Sequence, residues 1–230
     1  MSKSTRVQGA AGHEALAVVL QVRDGRLEAL LWKRARSPFE GAWALPGGML
    51  GDEETLEESI RRHLETKVDV RRLSHLEQLE TLSEPVRHPE QRLIATAYLG
   101  LVPAGIDPKV PADTGWHPVD ELPAVAFDHL AVVLAGRERL RAKLSYTNIG
   151  FALAPPAFTI AELRGLYRAA LGHDVSATNL QRILLRRALL EPTGEQRPPG
   201  RAGGRPASVY RFRNPELEVT DQFAVLRPPS

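Results

Sequence analysis

One stretch limits the folds open to this chain more than any other. It is Leu45-Pro46-Gly47-Gly48, followed from Glu54 to Lys67 by a run with helical periodicity. A glycine turn there is expected to feed a charged amphipathic helix. Leu56, Ile60 and Leu64 recur every fourth position and share one face. His63, Thr66 and Lys67, three and four apart, share another. Glu57–Arg61 and Glu58–Arg62 stand at the spacing of helical ion pairs.

The flanking segments alternate strand and turn signals. Glu14 to Val22 reads as a buried strand, Arg23-Asp24-Gly25-Arg26 as a hairpin turn and Leu27 to Lys33 as the return strand. Arg34 to Gly41 is a loop, and Trp43 leads into the glycine turn. Beyond the helix, Leu73–Leu82 and Leu93–Val102 read as strands separated by a charged loop, and Trp116 begins a short edge segment. Asp128 to Leu144 reads as a helix with Asp128 as its N-cap. Mixed strands with helices outside them predict an α+β fold, here an α/β/α sandwich over residues 13–145. Residues 1–12, small and polar, are expected to be disordered.

A chain of 230 residues is long for one core and suggests a second, smaller domain, placed at 146–230. Pro155-Pro156 forbids a helix there. Thr159 and Glu162 form a capping box, and Leu163, Leu166, Tyr167 and Ala170 follow at helical spacing to Gly172. A second helix starts at Ser176 with Leu180, Ile183 and Leu184 inward. Strands at Leu189-Leu190-Glu191 and Val209–Arg213 flank a Gly/Pro/Arg-rich loop. Helix, turn, helix and basic hairpin make a winged helix-turn-helix pattern.

Charge supports that division. Residues 146–230 carry eleven arginines, no lysine and seven acids, an excess of four positive charges, whereas 1–145 is slightly acidic. An arginine-only block behind a near-neutral domain points to a polyanion partner, double-stranded DNA. Thr178, Asn179, Gln181 and Arg182 would face base edges, and Arg186 and Arg187 phosphate. Arg197, Arg201 and Arg205 would lie along the backbone or in a minor groove. The absence of cysteine excludes disulfides, thiolate metal sites and a cysteine nucleophile. No apolar run approaches membrane-spanning length and the N-terminus lacks a signal core, so a cytoplasmic protein is expected.

The stretch after Gly48 resembles the Nudix box, a glycine and a glutamate followed by Arg-Glu-hydrophobic-x-Glu-Glu-x-Gly. Gly48, Glu54, Arg62 and Leu64 fall on that pattern, but His63, Thr66 and Lys67 stand where the box has metal-binding glutamates, and Asp69 where it has glycine. Mg²⁺ wants hard anionic oxygens, which imidazole, hydroxyl and ammonium do not supply. No metal and no catalytic residue are therefore expected. Three further stretches, His75–Leu82, Leu140–Thr147 and Leu190–Glu195 with Gly203–Ala207 and Tyr210–Phe212, make the whole resemble the NrtR family of Nudix-related bacterial regulators. That resemblance implies a homodimer that binds palindromic operators of NAD-biosynthesis genes, a repressor whose inactive Nudix domain senses ADP-ribose or a related nucleotide. The family often has Arg-Asp-Pro-Arg where this chain has Arg87-His88-Pro89-Glu90. A diphosphate held without metal needs donors, so the expected ligand site comprises Lys33, Arg34, Lys67 and Arg87, with Gly47, Gly48 and a stacking Trp43. Tyr98 and Trp116 read as core, and His63 as a packed or surface histidine. The alternative is an active Nudix pyrophosphohydrolase with an appended nucleic-acid-binding domain, using Glu53, Glu54, Glu57 or Glu58 for metal.

Overall fold

The computed structural model describes residues 11–198 and 206–221. Strand β1 (Gly12–Arg23) is the spine of the larger sheet and is apolar on both faces because both are covered. Ala15, Ala17 and Val19 face one layer, with Ile60, Leu64 and Val68 of helix α1 (Leu56–Val68). Val18, Leu20 and Val22 face the other, with Val132, Val133 and Leu140 of α2 (His129–Tyr146). β1 begins at Gly12, which pairs with Leu93, so this residue is not in a disordered tail; residues 1–10 lie outside the described residues.

Asp24 and Gly25 have φ of 47° and 78°, as a two-residue hairpin requires, and β2 (Arg26–Lys33) returns antiparallel. β3 (Trp43–Ala44) pairs with β2, and β4 (Gly47–Met49) pairs with β1. Gly47-Gly48 is therefore strand, not turn. A Cβ on Gly47 would stand 2.2 Å from the Ala15 carbonyl oxygen, so glycine serves close backbone approach. β6 (Leu93–Leu101) runs parallel to β1 on its other side, with β5 (His75–Leu82) antiparallel beyond it, and β7 (Thr114–Pro118) pairs with β2.

Helix α1 starts two residues later than its charge pattern suggested. Thr55 and Glu58 form a capping box, so Glu54 precedes the helix. Glu57 pairs with Arg61 at 2.9 Å, but the expected Glu58–Arg62 pair is replaced: Glu58 takes the Thr55 N–H, and Arg62 turns back to Glu54. Asp128 stands at the N-cap of α2 but makes no capping bond, because Arg87 takes its carboxylate at 2.9 and 3.0 Å.

After α2 the chain enters a short 3₁₀ helix (Ile149–Ala152) in which every residue is buried. β8 (Phe158–Thr159), α3 (Ile160–Leu171), α4 (Ala177–Arg186), β9 (Leu190–Arg197) and β10 (Ala207–Phe212) complete the smaller unit. Its strands lie in the order β8-β10-β9, a winged helix with its wing between β9 and β10. The capping box at Thr159 and the left-handed Gly172 bound α3 as the sequence indicates. The first wing strand runs to Arg197, further than expected. One apolar cluster continues from Val18 through Leu140 and Leu144 to Tyr167 and Leu184, so the two units share a core across α2.

Candidate functional site

β4, the loops at 34–38 and 88–91 and the start of α2 enclose a cleft of about 540 Å³. That is the size of sites that take nucleotide-sized ligands. One group of lining residues gathers at α1. The Lys67 Nζ donates to the Gly47 carbonyl at 2.6 Å and lies 4.9 Å over the Trp32 ring, whose indole N–H donates to Leu45 O. Burial lowers the Lys67 pKa, Arg62 and Arg34 lower it further, and Glu14 opposes them. The site is thus short of negative charge. A second group gathers on Phe127: the Arg34 guanidinium lies 4.7 Å from its ring, and His88 stacks on it at 5.2 Å. His129 lines the cleft with Nδ1 accepting from Leu45 N–H, and burial drops its pKa to about 3, so its imidazole is neutral. The cleft thus offers aromatic faces and cationic donors together, which suits a base or ribose joined to phosphate.

Of the expected ligand residues, Arg34, Gly47, Gly48 and Lys67 line this cleft. Three do not. Lys33 follows Trp32 on a strand, so when Trp32 faces the cleft Lys33 faces away, and its Nζ sits 5.2 Å over Trp43. Trp43 packs against His117 and the core instead of the cleft. Arg87 is buried and fully engaged, by Glu14 at 2.7 Å and by Asp128. It braces the wall from behind, since Asp128 lies between the lining residues Phe127 and His129. Trp32, His88, Phe127 and His129 were not anticipated. The one sequence signal for Trp32 was its alternation with Lys33.

The box resemblance implies a divalent metal against α1, and the residues present do not fit one. His63 is buried, its Nε2 donates to Met49 O at 3.0 Å, and burial lowers its pKa, leaving it neutral. Thr66 donates its hydroxyl to the Arg62 carbonyl on the exposed side. Lys67 brings a cation. The carboxylates considered for a substitute set are exposed or committed elsewhere. Arg62 and the Gly51 N–H hold Glu54 at a pKa of about 2, Glu57 pairs with Arg61, Glu58 caps the helix, and Glu53 is exposed. Among the described residues no group of three or more His, Asp or Glu side chains is placed to hold a metal ion.

The basic unit presents Thr178, Asn179, Arg182 and Arg186 on the exposed face of α4, with Arg182 donating to Asn179 Oδ1 at 2.7 Å. Gln181 does not share that face: it donates to the Tyr210 hydroxyl at 3.1 Å, joining helix to wing. Arg187 is turned inward, donating to Ser145 O at 3.0 Å and pairing with Asp221 at 2.7 Å. Arg197 is held by Glu162 and by Ala157 O rather than free on the wing. Arg201 and Arg205 lie outside the described residues.

A NUDIX domain model matches residues 12–135, and a model described as the NrtR DNA-binding winged helix domain matches residues 150–212. The chain is similar to the ADPR responsive transcriptional repressor NtrR of Acinetobacter baylyi, 28% identical over 84% of this chain and 79% of that one. It is also similar to an ADP-ribose pyrophosphatase of Methanocaldococcus jannaschii, 32% identical over 53% of this chain and 72% of that protein. Among solved structures it resembles Shewanella oneidensis NrtR complexed with a 27mer DNA, with 31% identity, a TM-score of 0.74 and coverage of 88% of this chain and 93% of that one. The NUDIX domain of the same protein complexed with ADP ribose matches at 29% identity and a TM-score of 0.51, over 60% of this chain and 93% of that one.

Proposed function

The chain belongs to the NrtR family of Nudix-related transcriptional regulators, and on that basis we propose that it is a repressor that releases operator DNA when a nucleotide fills its cleft. Residues 13–145 sense ADP-ribose or a related nucleotide, and residues 146–230 bind DNA. The operator is a palindrome upstream of NAD-biosynthesis genes, bound by a homodimer in the cytoplasm. Thr178, Asn179 and Arg182 read bases, while Arg186, Arg201 and Arg205 meet phosphate. Trp32, Arg34, Lys67 and Phe127 hold the nucleotide, and the Nudix unit does not hydrolyse it.

The observation that carries this reading is Lys67: an ammonium donating 2.6 Å to Gly47 O, on the helix face where a hydrolase of this type needs carboxylates. A cation fixed in the cleft binds diphosphate but activates no water. The second reading, an active pyrophosphohydrolase, is favoured by the likeness to the archaeal ADP-ribose pyrophosphatase. Two assays decide between them. DNA recovered by footprinting upstream of the chain's own gene, followed by fluorescence anisotropy, is expected to dissociate as ADP-ribose is added. Incubation of ADP-ribose with the protein and Mg²⁺ is expected to leave the nucleotide intact. Turnover within the ordinary range of about 1–10³ s⁻¹ would establish the hydrolase instead.

A further inference from the structure

Among the described residues the cleft offers a divalent cation no cluster of carboxylates, and one of its lining groups, Lys67, repels one. The β4 backbone approaches α1 so closely that a Cβ on Gly48 would stand 2.6 Å from His63 Cε1 and 3.0 Å from Lys67 Nζ. The helix therefore packs its imidazole and ammonium directly against the glycine strand. The nearest carboxylate on the wall, Glu14, is already paired with Arg87 at 2.7 Å. Lys67 and Arg34 both line the cleft, and the remaining lining acid, Glu90, is solvent-exposed.

Resting on the reading that this cleft takes a diphosphate nucleotide, we infer that it recognises the metal-free diphosphate, and that Mg²⁺ antagonises binding with Lys67 as the discriminating residue. In water Mg²⁺ binds diphosphate oxygens and neutralises their charge. The complexed nucleotide then offers Lys67 and Arg34 no net anion, and brings a second cation toward an ammonium fixed by its bond to Gly47 O. Only the uncomplexed fraction binds, so affinity falls as that fraction falls. A Nudix enzyme has the opposite dependence, because its glutamates need the ion to bring the two anions together. The sign of the Mg²⁺ effect therefore reports the charge of a single side chain. The consequence for regulation is that the DNA-releasing signal depends on free Mg²⁺ as well as on nucleotide.

The test is calorimetric titration of ADP-ribose into the full-length protein, in millimolar magnesium chloride and in potassium chloride of equal ionic strength with EDTA. Equal ionic strength removes general screening from the comparison. The wild type is expected to bind more weakly in magnesium, by the factor one plus the ratio of free Mg²⁺ to the dissociation constant of the Mg²⁺–ADP-ribose complex, which the same calorimeter measures without protein. In Lys67→Glu the order is expected to reverse, with binding tighter in magnesium; in Lys67→Met the difference is expected to shrink toward none. Wild-type affinity that is unchanged or higher in magnesium overturns the inference while leaving nucleotide sensing intact. No binding in either buffer overturns the functional reading, and the inference with it. Should the variants fail to fold, the wild-type comparison alone decides.

Discussion

Lys67 is held as a cation in a place that disfavours one. Burial, Arg62 and Arg34 all lower its pKa below that of a free lysine. A bound diphosphate supplies the missing charge and raises that pKa again. Binding then takes up a proton at any pH between the two values. Affinity for ADP-ribose is accordingly expected to be flat below the pKa of the free protein and to fall as pH rises through it, measurable by calorimetry from neutral to alkaline pH. Lys67→Met is expected to weaken binding by about tenfold at neutral pH, the worth of one charge-assisted hydrogen bond, and to abolish this dependence. Lys33→Ala, which removes a cation one residue from the cleft wall but on the other side of its strand, is expected to change affinity by less than about twofold, as an exposed surface substitution does. A large loss there would return Lys33 to the ligand site. Arg87 teaches the same lesson from the opposite side. Its charge and position suit phosphate, yet its partners Glu14 and Asp128 lie 73 and 41 residues away in sequence, so no local pattern announces that it is taken.

Elements were legible where their signals are local. The Asp24-Gly25 hairpin, the Thr159 capping box and the Gly172 stop each rest on a few adjacent residues, and each formed. Gly47-Gly48 misled because glycine marks both turns and close strand approach, and only the position of Ala15 distinguishes them. β8, two residues after a Pro-Pro pair, exists because β10 pairs with it, which no short window contains. Asn148 is another long-range device. It is buried, its Oδ1 accepts from Glu218 N, and its Nδ2 donates to Glu216 O at 2.7 Å, so it clamps the segment after β10 onto the end of α2. Asn148→Leu is expected to cost about 2–4 kcal/mol in urea or thermal unfolding, since Glu218 N, Glu216 O and Asn214 O all lose the side-chain partner. β5 is tied to α2 by Glu77, which lies 2.9 Å from Lys143 Nζ. Burial alone would raise the Glu77 pKa, but His75 and Lys143 outweigh it and hold the group at about 2. A depressed carboxylate stabilises the fold above its unfolded pKa and loses that contribution as pH falls through its folded one. Glu77→Gln is therefore expected to cost about 1–3 kcal/mol near neutrality, the gap to wild type closing between about pH 4.5 and pH 2.

At the scale of the whole molecule, the cleft and helix α4 are joined by α2. Its first residue, His129, lines the cleft; near its end Ser145 accepts from Arg187, the C-cap of α4. Eighteen helical residues make a strut of about 27 Å, and it lies within one continuous apolar cluster, so it is the packed route by which a shift at one end would reach the other. Linkage requires that nucleotide and operator weaken each other by the same factor, commonly about 5–150-fold. Arg187 decides whether this route carries the coupling. If it is the tie between α2 and α4, Arg187→Ala is expected to leave ADP-ribose affinity of the free protein unchanged and the salt dependence of DNA binding unchanged. The ratio of ADP-ribose affinities with and without operator would move toward one. If Arg187 instead leaves Asp221 to meet a phosphate, the same variant would lower the slope of log affinity against log salt by about 1 and leave the ratio intact. One substitution and two titrations thus separate a residue that binds DNA from a residue that reports the nucleotide to it.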